Sequence, residues 1–90
     1  MIKNIKISSR FSRKFKILSK EEKLTAVEEI KFFKEDPFNP SLNTHALRGK
    51  FTGFYAFTVL PDLRIMFRFS KVDKSEVILY DIGPHEIYNI

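Results

Sequence analysis

The residues best equipped for chemistry in this 90-residue chain are two arginines, two histidines, one turn aspartate and a late tyrosine. Arg64 and Arg68 stand in LRIMFRF, where polar and apolar residues alternate. In a strand that alternation puts both guanidinium groups on one face beside Met66, each able to fork onto phosphate oxygens. The plainer alternative is that they pair with Asp81 or Glu76 on the next strand and keep that face soluble. His85 lies in IGPHEIY, just past the last apolar stretch. An imidazole exchanges protons near neutrality, so beside an arginine it suits phosphodiester cleavage as acid or base, unless it is a solvated tail histidine. Tyr88 offers a second proton donor or a stacking ring, or else packs on the core.

A second group gathers in NTHALRGK, where His45 precedes Arg48 and Lys50. Asp62, in Pro61-Asp62, is a turn residue first and a proton relay second. Arg10, Arg13, Lys14 and Lys16 are either the wet face of a first helix or a grip on RNA backbone.

These groups need elements to carry them. Ile2, Ile5 and Ile7 predict a short β-branched strand, and Ser8 or Ser9 can cap the helix that follows. Phe11, Phe15 and Leu18 recur at helical spacing. Ser19 with Glu22 forms a capping box, and Leu24, Val27, Ile30 and Phe33 continue as the apolar stripe of a second helix. Pro37 and Pro40 stop it by Asp36. The short connection predicts a helical hairpin. Beyond residue 51 the period falls to two, and FYAFTVL, LRIMFRF and EVILYDI predict a three-stranded antiparallel meander. With a two-residue turn at Pro61-Asp62, Leu60 faces Leu63 and Val59 faces Arg64. Tyr55, Phe57 and Val59 then share the face of Arg64 and Arg68, with Tyr55 or Phe57 available to stack on an unpaired base. Phe54, Ala56, Thr58 and Leu60 go under the helices. The predicted fold is α+β, β-α-α-β-β-β, one domain over 1–90, with helices on one side of the sheet and an open basic face on the other.

Composition narrows the function classes. Sixteen Lys and Arg against eleven Asp and Glu give +5, which points to a polyanion. Forty-three per cent apolar residues are enough for a packed core, and 90 residues leave no room for a two-domain enzyme with its own cofactor fold. Cysteine is absent, which removes disulfide scaffolds, thiol nucleophiles and Cys-type metal sites. No cofactor, metal or small-molecule partner is expected. The N-terminus has no uninterrupted apolar stretch, so neither a signal peptide nor a membrane span is expected, and the simplest location is cytoplasmic.

In order, HALRGKFTGFYAFTVLPDLRIMFRF and VILYDIGPHEIY resemble the RelE/ParE superfamily of bacterial toxins, most closely its YafQ-like mRNA interferase branch. The carriers are His45, Leu47, Gly49 and Lys50, then Gly53, Asp62 with Arg64, and Ile82, Gly83 and His85 followed by Tyr88. The resemblance implies a ribosome-dependent endoribonuclease held inactive by a cognate antitoxin, in which the RNA 2′-hydroxyl attacks the adjacent phosphate without a metal. It implies that Arg64 stabilises the phosphorane and that His85 protonates the leaving oxygen or acts as base. Asp62 and His45 would assist proton transfer, Tyr88 would orient RNA, and Lys50, Arg48 and Arg68 would hold phosphates. The partners implied are the antitoxin, presenting an acidic amphipathic segment, the ribosome and mRNA. Thr58 stands where the YafQ-like branch often has a histidine, Tyr55 and Phe57 where RelE has lysines, and Tyr88 one residue closer to His85 than in many relatives. The alternatives are a ParE-like gyrase inhibitor, which usually lacks the terminal Gly-x-His, and an RNA-binding module without catalysis.

Overall fold

Ser8 both ends a strand and starts a helix. In a computed structural model, which describes residues 1–84 and 87, strand β1 runs Asn4–Ile7 and helix α1 Ser9–Lys16. The Ser8 hydroxyl accepts from the Phe11 N–H and donates to the Tyr80 carbonyl at 2.6 Å, so one side chain caps the helix and ties it to the sheet. Helix α2, Lys20–Glu35, opens with the expected capping box: the Glu22 N–H donates to Ser19 Oγ at 3.1 Å, and the Ser19 N–H donates to Glu22 Oε1 at 2.8 Å. It ends at Asp36, immediately before Pro37.

The remaining strands are β2 (His45–Ala46), β3 (Tyr55–Leu60), β4 (Leu63–Phe69) and β5 (Glu76–Gly83), in the sheet order β1-β5-β4-β3-β2. β1 pairs with β5 in parallel, and the other neighbours are antiparallel. The fold is therefore the predicted α+β arrangement. It adds a two-residue strand, too short for any period to betray, and 3-10 turns at Pro40–Leu42 and Gly49–Phe51.

The core lies between the helices and one face of the sheet. Phe33 of α2 stacks on Phe57 with centroids 4.4 Å apart and meets Phe67 edge-on at 4.7 Å. Val77, Leu79, Ile82 and Ile65 close the layer, all at most 1% exposed. Two members of the expected α2 stripe are not in it. Leu24 is 57% and Val27 41% exposed, while Ala26 is fully buried, because the face of α2 that carries Phe33 turns Ala26 rather than its larger neighbours to the sheet. Val27 and Ile30 instead face Phe11 and Phe15 across an open apolar cleft of about 330 Å³ between the helices.

Register corrects the face expected for β3. Leu60 does pair with Leu63, but Thr58 pairs with Arg64 and Phe57 with Ile65, which leaves Val59 as a bulge. An extra residue reverses the alternation behind it. Tyr55, Phe57 and Val59 consequently lie on the helix side, and Phe54, Ala56 and Thr58 take the face of Arg64. The reversal sends the Phe57 ring into the core, where burying it gains about 1.5–3 kcal/mol, and packs the partly buried Tyr55 against that core's edge. A second irregularity falls in β5: Met66 pairs with Asp81 and Phe67 with Leu79, so Tyr80 is supernumerary.

Candidate functional site

The turn from β3 to β4 fixes Arg64. Its Nη1 donates to the carbonyls of Pro61 at 2.7 Å and Leu60 at 3.1 Å, which orients the guanidinium over the turn. Thr58 lies across from it on one side and Gly83 on the other. Asp62, exposed in the same turn, stands two residues away along the chain. One end of the sheet thus brings together Arg64, Asp62 and the end of β5 with Pro84, the residue before His85. His85 and Tyr88 themselves lie outside the described residues.

Position Gly83 is closely confined. A Cβ there would fall 2.5 Å from Cγ2 of Ile87 and 3.0 Å from Nζ of Lys14. Ile87, 6% exposed, packs with Leu47, Ala56 and Met66 on the face opposite the helices. The predicted open face is therefore only partly open: its middle is a second small core, ringed by Phe51, Phe54 and Tyr80.

His45 comes to this same face from the other edge. Asn43 adopts a left-handed conformation, φ 54°, which Asn tolerates, and its carbonyl lies 2.9 Å from His45 Nδ1. His45 pairs with Ala56, two residues along β3 from Thr58. That places it roughly 10 Å across and 7 Å along the sheet from Arg64. Arg48 and Lys50 follow on an exposed loop, where Lys50 Nζ sits 5.6 Å from the Phe51 ring centroid. Arg68 lies on the face of Arg64 but roughly 14 Å along β4, too far for both to hold one phosphate.

The acids expected to neutralise these arginines are occupied elsewhere. Glu76 receives Asn4 Nδ2 at 2.9 Å and Lys6 Nζ at 3.6 Å, and Asp81 receives Arg10 Nε at 3.1 Å and Lys14 Nζ at 3.0 Å. Among the described residues, none of Arg48, Lys50, Arg64 and Arg68 stands in an ion pair. Arg10 and Lys14, two of the expected RNA contacts, both pair with a carboxylate that is 1% exposed, while their own side chains stay 46% and 33% exposed. Arg13 remains exposed on α1. Tyr55, expected beside the arginines, packs on Phe67 and Phe69 with centroids 5.5 Å away and belongs to the helix-side core. The sequence reading missed Phe54 and Tyr80 as the aromatic residues of the basic face; their rings lie 5.1 Å apart. An odd residue count in either strand would have revealed them, but a bulge leaves no trace in period-two alternation. Among the described residues no cluster of three or more metal-ligating side chains occurs, and no helix is long and apolar enough to cross a membrane.

No family model matches the sequence, and no curated protein matches it significantly. Solved structures do match its fold. The YoeB/ParE toxin from Agrobacterium tumefaciens superposes with a TM-score of 0.78 at 13% identity, over 92% of this chain and 99% of that one. The archaeal RelE-RelB complex from Pyrococcus horikoshii OT3 gives 0.74 at 19% identity, over 97% and 99%. The E. coli DinJ-YafQ toxin-antitoxin complex gives 0.72 at 17% identity, over 98% of each chain.

Proposed function

We propose, from the RelE/ParE-like toxin fold that this chain carries, that residues 1–90 act as one toxin domain, a ribosome-dependent endoribonuclease. The observation that carries the reading is Arg64: its Nη1 is tied to the Pro61 and Leu60 carbonyls beside the strand end that leads to His85. A cation oriented before substrate arrives needs little reorganisation when charge develops on a phosphate. In the proposed reaction the RNA 2′-hydroxyl loses its proton to a base and attacks the adjacent phosphorus, and the 5′-oxygen leaves as it takes up a proton. A 2′,3′-cyclic phosphate and a 5′-hydroxyl result. Arg64 bears the added charge on the phosphorane through Nε and Nη2, which make no hydrogen bond among the described residues. His85 supplies the proton to the leaving oxygen or takes that of the nucleophile, with Asp62 beside Arg64 and His45 from the far edge assisting proton transfer. Thr58 has no basic group, which gives the base role to the histidines. Tyr88 orients the RNA, while Arg48, Lys50 and Arg68 hold its phosphates.

An antitoxin is the partner proposed for the control of this site, supported by the toxin-antitoxin complexes among the structures of like fold. Its acidic amphipathic segment would meet the unpaired basic groups described above. The cytoplasm is the proposed location. Induced expression tests the reading: translation halts and ribosome-bound mRNA shows codon-phased cuts. Intact mRNA with DNA-damage signalling would favour a gyrase inhibitor instead.

A further inference from the structure

A concavity opens at the end of the sheet remote from Arg64, where Phe54 and Arg68 of the basic face meet Phe69 of the helix side. It is a cleft of about 500 Å³ lined by Thr52, Gly53, Phe54, Arg68, Phe69 and Lys71. We propose that it seats one unpaired RNA nucleotide, with the base against Phe54 and the adjoining phosphates on Arg68 and Lys71. The proposal rests on the RNA-directed function above and names a subsite of it.

Four observations converge. Phe54 is only partly buried, and its ring is braced by Tyr80 at 5.1 Å and Phe51 at 6.2 Å, so a rigid aromatic wall faces the cleft. Partly exposed rings beside cations are what sequence-tolerant stacking sites use. Arg68 and Lys71 stand in no ion pair among the described residues, and the nearby carboxylate on β5, Glu76, is engaged by Asn4 and Lys6. Gly53, at φ 98°, has no atom within 4 Å of where a Cβ would project, which keeps the mouth of the cleft unobstructed. Finally, the volume falls in the roughly 300–1,000 Å³ range of small-ligand pockets, enough for a nucleotide and too little for a duplex. Arg68 lies roughly 14 Å along β4 from Arg64, a span of a few nucleotides of extended strand. The cleft would therefore grip the same RNA strand away from the bond being cut.

The test uses the full chain and a fluorescein-labelled 2′-O-methyl hexanucleotide, which has no attacking hydroxyl, with binding followed by anisotropy. Each base of the hexanucleotide is also removed in turn. Phe54→Leu is expected to weaken binding about fivefold or more. Removing one particular base should cost wild type a similar factor and cost Phe54→Leu nothing further, and Phe54→Tyr should bind as wild type. Arg68→Gln and Lys71→Gln should each flatten the salt dependence by about 0.7 in log–log slope. Wild-type affinity in Phe54→Leu, or an equal additional loss in that variant at every abasic position, overturns the subsite. Unchanged salt slopes in both charge variants overturn it independently, should Phe54→Leu fold poorly. Failure of wild type to bind the hexanucleotide overturns the subsite, whereas intact ribosome-bound mRNA after induction of wild type overturns the functional reading as well. RNA binding and translation arrest that are indifferent to Phe54, Arg68 and Lys71 overturn only the subsite.

Discussion

The Nζ of Lys14 lies 3.0 Å from Oδ1 of Asp81, and Asp81 is 1% exposed. With Arg10 on the other oxygen and the Ile82 N–H donating to Oδ1 at 2.8 Å, the carboxylate is fully partnered. β1 covers β5 only from Glu76 to Leu79, so on the edge away from β4 the strand's last residues, beside Arg64, are held by these contacts of α1. Asp81→Ala should lower unfolding stability by about 2–3 kcal/mol, below the range for fully buried pairs because both cations are partly exposed. Asp81→Asn, which retains the bond from the Ile82 N–H, should cost less. Urea titrations of the three proteins measure the order.

Gly83→Ala should disturb the site more than the fold. The added methyl would press on Ile87 and Lys14, and overpacking of this kind costs about 1–3 kcal/mol. Ile87 would move and carry the residues around it, so growth arrest on induction should weaken in a variant that still folds. Shortening Ile87 to Ala in the same protein should recover part of the activity. Equal arrest by wild type and Gly83→Ala would show that the confinement has no bearing on function.

Phe33 and Leu24 separate a true core position from an apparent one. Phe33→Ala removes a fully buried ring stacked on Phe57 and should cost about 3–5 kcal/mol. Leu24→Ala, at a position 57% exposed, should change stability by about 0.5 kcal/mol or less. Thermal unfolding of both variants checks the pair.

Asp73 makes the stability of the fold depend on pH at the acid end. Hydrogen bonds from the Ser75 side chain and N–H hold its carboxyl below the usual 3.8. Because the folded value is depressed, its contribution is present above the unfolded value and is lost as pH falls through the folded one. Asp73→Asn should therefore flatten the acid limb of stability below about pH 4 and leave the pH dependence above pH 6 unchanged. Denaturant midpoints measured across that range decide it.

Element types were legible in the residues because each rests on local chemistry: Ser19 with Glu22, Pro37 after Asp36, and the alternation of LRIMFRF. Which way the strands face was not, because that depends on counting across a turn. The count failed at Val59, where one bulged residue moved Tyr55 and Phe57 from the basic face to the core. The same limit applied to Arg10 and Lys14. Their spacing on α1 is visible in the sequence, whereas the buried carboxylate they meet lies 71 residues from Arg10 and is set by tertiary packing. That Arg64, Met66 and Arg68 share one face was legible because it needs only the alternation within a single strand.

Cleavage of ribosome-bound mRNA by purified wild type and Arg64→Ala, matched for unfolding midpoint, tests the central claim most directly. If the anchored guanidinium stabilises the phosphorane, wild type leaves codon-phased cuts and Arg64→Ala cleaves about 10²–10³ times more slowly, the loss typical of removing one preorganised donor. Cleavage by Arg64→Ala at the wild-type rate, or no cleavage by wild type, would contradict the account.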